Sequence, residues 1–348
     1  GGTRRQRHTT FAAGGPVRRR VPGFNMIRML KHPSSFLLVL ILASLLAGCE
    51  KTDTAPAVVS SSSSDFPVTI TDLLDRKVTL EKTPTRIVSL TPSMTEMLYF
   101  LGAEDRLVGV TSYCNYPPEA QSKEIIGGGT IDSLSREKIV ALKPDLVLCK
   151  WDNHESLIAQ LDEWNIPALA FGAESFEGMY EEIIQLGQIT ETSDRAEAGV
   201  NDLKQRVALV LQRVKENRTG PAPKVFYQVW DDPLMSAGPN SFIGQLLDMA
   251  GAENLLAGTD IRYPKVSPEI VIAGNPDVII APSVHAIPIT PDSILSREGW
   301  ENLSAIKNRR VYIIDGDSVS RCAPRLVDAL EEVVKDLYGE SFLTEVAP

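Results

Sequence analysis

The chain contains Ser135-Arg-Glu137-Lys-Ile-Val-Ala-Leu-Lys-Pro144-Asp145-Leu-Val-Leu and repeats the pattern as Ser267-Pro-Glu269-Ile-Val-Ile-Ala-Gly-Asn-Pro276-Asp277-Val-Ile-Ile. The two copies align position for position without a gap. Each predicts a helix with a serine N-cap and glutamate in its first turn, followed by a Pro-Asp turn and a buried strand. Two copies of one α/β unit predict two similar lobes with a cleft between them.

Alternating strand and helix patterns surround both copies. The shorter repeat Leu101-Gly-Ala-Glu-Asp105 and Ala250-Gly-Ala-Glu-Asn254 supports the same duplication. A short hairpin is predicted between Phe66 and Leu80, and an amphipathic helix from about 324 to 338. Strands that alternate with helices favour mainly parallel sheets covered on both faces.

A long amphipathic segment separates the two halves. Between 192 and 217 apolar residues recur at helical spacing, which predicts one continuous helix and a stiff connection. The predicted domains are a first α/β lobe at 66–190, a connecting helix at 191–220 and a second α/β lobe at 221–348. The predicted apolar face consists of Ala196, Val200, Leu203, Val207, Val210, Leu211 and Val214.

The N-terminal segment 1–65 is predicted to lie outside the folded body. Residues 26–48 combine positive charge with a short apolar core and end Leu46-Ala47-Gly48-Cys49, which resembles a lipoprotein signal peptide. We interpret residues 1–25 as upstream sequence, Cys49 as the lipidated residue and 49–65 as a Ser-rich flexible tether. The expected location is therefore the cell envelope, with the protein anchored outside the cytoplasmic membrane.

Removal of the segment 1–48 makes the chain strongly acidic. Residues 1–48 contain eight of the 35 Lys and Arg and none of the 45 Asp and Glu. The remaining chain therefore has 27 positive and 45 negative side chains, a net charge of −18. A nucleic-acid partner is not expected, because phosphate binding requires clustered positive charge.

Three cysteines remain besides Cys49, and the sequence does not decide whether any two of them form a disulfide. Cys149 ends an aliphatic run and is predicted to be a buried thiol, whereas Cys114 and Cys322 are in polar, loop-like surroundings.

Three segments carry a resemblance to a known family. They are Arg86-Ile-Val-Ser-Leu-Thr-Pro-Ser-Met-Thr-Glu96, Thr111-Ser-Tyr113-Cys-Asn-Tyr116-Pro-Pro118 and Lys143-Pro-Asp-Leu-Val-Leu148. From about Phe66 onward the chain resembles the substrate-binding proteins of ABC importers that have a rigid helical backbone and serve siderophores, haem and cobalamin. The resemblance implies two Rossmann-like lobes joined by one long helix, with no catalytic activity and no cofactor.

Within that family, the Tyr-x-x-Tyr-Pro-Pro stretch and Arg321-Cys-Ala-Pro-Arg325 resemble the cobalamin-binding members. A corrinoid is therefore the expected ligand. Lys150 is the alternative to Trp151, and Val229 the alternative to Trp230. The implied ligand-binding residues are Tyr113, Tyr116, Trp151, Trp230, Met235, Tyr263, Asp317 and Arg321.

The same residues have structural interpretations. Either tyrosine can pack under its own loop, and Asp317 and Arg321, four residues apart, can pair with each other. Their positions after predicted strands favour a ligand site, because open α/β sheets bind ligands at the carboxyl ends of strands. Trp164 and Trp300 are predicted to be packing residues. Gly127-Gly-Gly129 lacks the spacing of a phosphate-binding loop.

Glu137 and Glu269 stand at matching places in the two copies. Helix N-termini favour carboxylates without any function. The family resemblance implies instead that these glutamates dock on arginines of two membrane subunits, so the expected partners are an ABC permease and its ATPase.

Other functions remain open at this point. Haem or a ferric siderophore would keep the importer and change the ligand. A zinc or manganese receptor requires several His and carboxylate ligands, but after the signal peptide only His154 and His285 remain. An envelope enzyme would need a nucleophile–base pair or a metal site, and Cys114 with His154 is too loose a pairing to predict one.

Overall fold

The computed structural model describes residues 66–152, 154–283 and 289–344, which belong to one compact unit, Ser61–Pro348. The predicted signal peptide, Cys49, the tether and His285 lie outside the described residues. Among the described helices, none is both long and apolar enough to cross a membrane.

The first lobe is a hairpin followed by a five-stranded parallel sheet with helices on both faces. Strands β1 and β2 pair in antiparallel fashion, as predicted, and the parallel sheet has the order β5-β4-β3-β6-β7. The elements are β1 (Val68–Thr71), β2 (Lys77–Leu80), β3 (Ile87–Ser89), α1 (Pro92–Phe100), β4 (Leu107–Val110), β5 (Glu124–Ile125), α2 (Arg136–Ala141), β6 (Leu146–Lys150), α3 (Glu155–Glu163), β7 (Ala168–Phe171) and α4 (Phe176–Ile189).

One 25-residue helix, α5 (Ser193–Asn217), follows the first lobe. It packs against α4 of the first lobe, and its buried side chains recur every three or four residues from Ala196 to Val214. The structure confirms a single connecting helix. Leu211, predicted on the buried face, is exposed, because it lies about 100° around the helix from the buried Val210.

The second lobe is a smaller parallel sheet with the order β10-β8-β11-β12 and one antiparallel strand, β9, on β8. Its last helix packs against α5. The elements are β8 (Lys224–Trp230), β9 (Met235–Ser236), α6 (Phe242–Met249), β10 (Glu253–Asn254), α7 (Pro268–Gly274), β11 (Val278–Pro282), α8 (Pro291–Leu295), α9 (Ser304–Lys307), β12 (Val311–Ile314), α10 (Gly316–Ser320) and α11 (Arg325–Tyr338).

The two lobes share one topology. The order β4-β3-β6-β7 in the first lobe corresponds strand for strand to β10-β8-β11-β12 in the second. The repeated Pro-Asp turn has the same role in both, because Asp145 Oδ1 accepts a hydrogen bond from Arg86 N at 2.8 Å and Asp277 Oδ2 accepts one from Lys224 N at 2.9 Å. Each aspartate thus fixes the start of its neighbouring central strand, β3 or β8.

The serine caps differ between the copies. Ser135 accepts a hydrogen bond from Lys138 N at the start of α2, whereas Ser267 occupies the N-cap position of α7 without a capping bond to the backbone.

A continuous apolar core joins the lobes through α5. It includes Met97 of α1, Leu186 of α4, Val207 of α5 and Leu330 of α11. Two separate clusters, around Val147 in the first lobe and Ile279 in the second, lie on the outer faces of the sheets. The sheets are therefore covered on both faces, as their uninterrupted aliphatic strands predict.

Candidate ligand-binding cleft

The loops that follow the strands of the two sheets meet across the boundary between the lobes. Asn115, after β4, donates from Nδ2 to Asp317 Oδ2 at 2.7 Å, and Cys322, after α10, donates from Sγ to the carbonyl of Ser175 at 3.3 Å. The carboxyl edges of the two parallel sheets thus face each other. This is the arrangement in which α/β proteins hold ligands.

A buried ion cluster lies at this boundary. Arg321 Nη1 and Arg325 Nη2 contact Glu96 Oε1 at 2.8 and 2.7 Å, and the side chains of Glu96 and Arg321 are only 3% and 9% exposed. Burial alone would lower the pKa of Arg325, but the hydrogen bond and the charge of Glu96 outweigh it and raise that pKa. The cluster therefore joins α1 of the first lobe to α10 and α11 of the second.

The roles of Glu96 and Arg325 do not follow from the sequence pattern. Glu96 could have been suspected from its position within the apolar pattern of α1. A carboxylate that is buried at such a position needs a hydrogen-bonding or charged partner. The partners of Glu96 come from the other lobe, near the opposite end of the folded chain, so sequence spacing alone could not identify them.

Asp317 and Arg321 do pair with each other, at 2.8 Å. Arg321 also contacts Glu96 and donates from Nη2 to the carbonyl of Tyr113 at 3.1 Å. The structural interpretation of this pair, as two residues that contact each other, is therefore confirmed, and ligand contact by Arg321 stays a prediction. Its charge is matched by two carboxylates, and its side chain ties the lobes together.

Tyr113 is the most exposed of the predicted aromatic residues, with 61% of its surface accessible. Its ring lies against Gly129, where a Cβ atom would approach ring carbon Cδ2 to 2.9 Å. The glycine-rich stretch thus provides room for this ring at the cleft. Tyr116, although partly exposed, has one ring face covered by the guanidinium of Arg325 at 3.8 Å from the ring centroid.

Trp151 lines a cavity of about 410 Å³ at the carboxyl end of β7, together with Phe171, Glu174 and Glu182. Its indole packs against Gly172, whereas Lys150 Nζ pairs with Asp152 at 3.0 Å. Of the two alternatives, Trp151 lines this cavity and Lys150 does not, and which of them contacts a ligand stays a prediction.

Glu182 is a buried carboxyl group beside this cavity. Its Oε1 accepts hydrogen bonds from Gly172 N at 2.7 Å and Ala173 N at 2.8 Å, while among the described residues Oε2 has no hydrogen-bond partner. Burial raises the pKa of Glu182 to about 7, against the opposing effect of the two backbone hydrogen bonds.

The loop held by Glu182 also reaches the second lobe. The carboxylate of Glu174 forms an ion pair with Arg262, and its carbonyl accepts a hydrogen bond from Gln245 Nε2 at 3.2 Å. Tyr263 lies next to this pair and is mostly buried. Burial, and secondarily the charge of Glu174, raises the pKa of Tyr263 to about 12.

Trp230 and Met235 lie opposite each other on the short antiparallel pair β8–β9. The indole of Trp230 donates to the carbonyl of Asp232 at 3.0 Å and remains partly exposed, whereas Val229 packs against the core. Of these two alternatives, the tryptophan is the accessible residue. Among the predicted ligand residues, contacts at the boundary join Tyr113, Asp317 and Arg321 directly, while Trp230 and Met235 form a separate pair.

All three described cysteines are free, so none of the considered disulfides forms. Cys149 is buried as predicted. Cys114 and Cys322 are buried as well, but both lie in loops with polar contacts, as predicted, and burial raises the pKa of Cys322 to about 12. Thr95 Oγ1 donates a hydrogen bond to Cys114 Sγ.

His154 and the two tryptophans outside the cleft also have defined environments. His154 is buried, its Nδ1 accepts a hydrogen bond from Lys150 N at 2.9 Å, and burial lowers its pKa. Trp300 is a core residue in edge contact with Phe226, as predicted, but Trp164 is exposed at the end of α3, so its assignment to packing was wrong. Within the described ranges, no three His, Cys, Asp or Glu residues are grouped to hold a metal ion.

Glu137 and Glu269 are exposed in the first turns of α2 and α7. Ser135 donates from Oγ to Glu137 Oε2 at 3.2 Å, and a hydrogen bond from Ser267 is the main cause that lowers the pKa of Glu269. Each carboxylate therefore accepts a hydrogen bond from the serine two residues before it.

Comparison with known proteins identifies the family. A family model described as periplasmic binding protein matches residues 87–318. The chain belongs to this family. Its members are binding proteins, so the alternative of an envelope enzyme is excluded.

Three similar proteins give a more detailed comparison. An uncharacterized ABC transporter substrate-binding lipoprotein, YvrC of Bacillus subtilis, is 32% identical over 90% of this chain and 99% of its own. A cobalamin-binding protein of Halobacterium salinarum is 28% identical over 79% of this chain and 75% of its own. The solved structure of the periplasmic heme-binding protein RhuT from Roseiflexus is 28% identical, covers 73% of this chain and 97% of its own, and has a TM-score of 0.64.

Proposed function

We propose that this chain is the lipid-anchored substrate-binding protein of an ABC importer and that it captures a corrinoid, cobalamin or cobinamide, for delivery to a membrane permease. The names of the similar Bacillus and Halobacterium proteins support the importer and the ligand class. The lipobox at Cys49 supports the anchor, and the YvrC protein is itself named a lipoprotein.

The observation that most favours a corrinoid as the ligand is that the arginines of the cleft are paired with carboxylates. Three arginines lie at the boundary between the lobes, and each is paired with a carboxylate: Arg262 with Glu174, Arg321 with Glu96 and Asp317, and Arg325 with Glu96 and Asp315. Haem carries propionate carboxylates and many ferric siderophores are anionic, so cations without a carboxylate partner would favour both. A corrinoid carries neutral carboxamide arms, which hydrogen-bond to carboxylates and carbonyls without requiring a cation.

The accessible rings complement this electrostatic argument. Tyr113 and Trp151 present aromatic surface at the carboxyl edge of the first sheet, and Trp230 presents it in the second lobe. Aromatic rings contribute large apolar contact areas to a flat macrocycle with little loss of side-chain entropy. We assign these residues, with Tyr116, Met235, Tyr263, Asp317 and Arg321, to the boundary of the corrinoid site.

Haem is the second candidate. Tyrosine is a type of haem iron ligand, and the exposed Tyr113 could fill that role. The fold of RhuT is consistent with this alternative.

Titration of the purified mature protein distinguishes the two. Calorimetry and absorption spectra with cyanocobalamin, dicyanocobinamide, haemin and ferrichrome should give stoichiometric binding of a corrinoid. Tyr113→Ala should weaken that binding by about tenfold or more, because a large accessible ring is lost. Trp164→Ala is the control, since this tryptophan is also exposed but precedes β7 at the opposite edge of the sheet. Binding of haemin without binding of either corrinoid would refute the assignment.

Delivery is assigned to Glu137 and Glu269. Each lies in the first turn of the helix that precedes an interior strand, β6 or β11. Such helices run antiparallel to the strands they precede, so their N-termini lie toward the carboxyl edge that borders the cleft. Two equivalent carboxylates at this end of the molecule fit two like, basic permease subunits.

A further inference from the structure

Two exposed apolar residues occupy equivalent positions in the duplicated helices. The alignment that pairs Glu137 with Glu269 also pairs Val140 in α2 with Ile272 in α7, and the exposed fractions of these two are 44% and 43%. Single exposed apolar residues are ordinary on protein surfaces. Packing within the lobes does not explain why Val140 and Ile272 are equally exposed at equivalent positions, because packing would bury both side chains.

Both residues share a helix face with a docking glutamate. Val140 follows Glu137 by three positions and Ile272 follows Glu269 by three, and side chains at this spacing are neighbours on a helix surface. The residue before each apolar side chain, Ile139 or Val271, is completely buried and fixes which face of the helix points outward.

We propose that Glu137 with Val140 and Glu269 with Ile272 form two equivalent acidic–apolar patches, which dock on two like membrane subunits that each present a cation beside an apolar hollow. This inference rests on the proposed function and specifies the chemistry of the partner surface. The carboxylates fix register and speed the encounter, while burial of the apolar side chains lowers the dissociation rate.

The patches differ in the residues that flank each glutamate, since Arg136 and Lys138 in the first correspond to Pro268 and Ile270 in the second. Ile270, next to Glu269, is also exposed, whereas its counterpart Lys138 pairs with Glu124 at 2.7 Å. The second patch therefore offers more apolar surface than the first. This difference makes Ile272 the more sensitive of the two positions.

The test is binding to the permease–ATPase complex reconstituted in lipid nanodiscs, measured at several salt concentrations. Val140→Thr with Ile272→Thr should weaken the complex about tenfold or more at every salt concentration, because removal of apolar groups from an interface is not screened by ions. Glu137→Arg with Glu269→Arg should abolish binding and its salt dependence. Leu209→Gln with Leu211→Gln is the matched control, since it removes two equally exposed apolar residues from α5.

The outcomes separate the inference from the proposed function. Binding of the threonine pair within twofold of wild type, while the arginine pair fails, would overturn the apolar patches alone. Normal binding of both pairs would overturn the docking assignment as well. Loss of affinity for empty nanodiscs, or a change in oligomeric state, would assign the apolar residues to lipid or to a second copy of the chain and overturn the inference. Corrinoid titration of each variant should match wild type.

Discussion

Replacement of Glu182 by glutamine should flatten the dependence of stability on pH. Glutamine keeps one oxygen to accept the hydrogen bonds from Gly172 and Ala173 but cannot ionise. The free energy of unfolding of this variant should therefore change less than that of the wild type between pH 5 and pH 8.

The magnitude follows from the pKa of Glu182, which burial raises from 4.5 to about 7. The folded state holds the proton more tightly than the unfolded state, so protonation stabilises the fold. That contribution is complete below about pH 4.5 and is lost as the pH rises through about 7. The difference between the pKa values of Glu182 in the unfolded and folded states corresponds to about 3 kcal/mol in the free energy of unfolding for a group this deeply buried.

The assay is urea unfolding of wild type, Glu182→Gln and Glu181→Gln at pH 5 and pH 8. Burial also raises the pKa of Asp336 to about 7, but this group titrates in all three proteins and its contribution cancels. Glu181 is the control because it is adjacent and exposed. The same loss of stability between the two pH values in Glu182→Gln and in the wild type would refute the reasoning.

Two further predictions concern the boundary between the lobes. Glu96→Gln should destabilise the protein by about 1–3 kcal/mol, because Arg321 and Arg325 lose their shared carboxylate and each keeps one other carboxylate partner, Asp317 or Asp315; urea unfolding measures this, and a loss below about 0.5 kcal/mol would contradict it. Spin labels on exposed sites of the two lobes, Glu163 and Glu301, should change separation by no more than about 2 Å when cyanocobalamin binds, since one continuous helix joins the lobes. A larger contraction would indicate hinge closure.

The fold was predictable because its evidence is local and occurs twice. The repeated Ser, Glu and Pro-Asp positions specify helix, turn and strand within one short segment, and the internal repeat implies two lobes without knowledge of any contact. The buried face of α5 followed from its spacing, although Leu211 was misplaced because a simple apolar count does not fix where the stripe ends.

The site was less predictable because its determinants are far apart in sequence. Tyr113 and Trp151 could be placed at strand ends, but the pairing of Arg321 with Glu96 depends on how two separately folded sheets approach each other. The burial of Cys114 could not be predicted for a similar reason. Its neighbours in sequence are polar, whereas burial depends on the elements packed over it, including Thr95 of α1.

The cluster of Glu96 with Arg321 and Arg325 determines which half of a transport cycle requires work. Because side chains join the lobes directly, we expect capture of a ligand to need little reorganisation, so that no free energy of lobe closure is subtracted from the affinity. The same ion pairs must break before the lobes can separate, and disruption of a buried pair requires several kcal/mol. Ligand capture is then expected to proceed without an input of free energy, whereas ligand release requires free energy supplied by another protein.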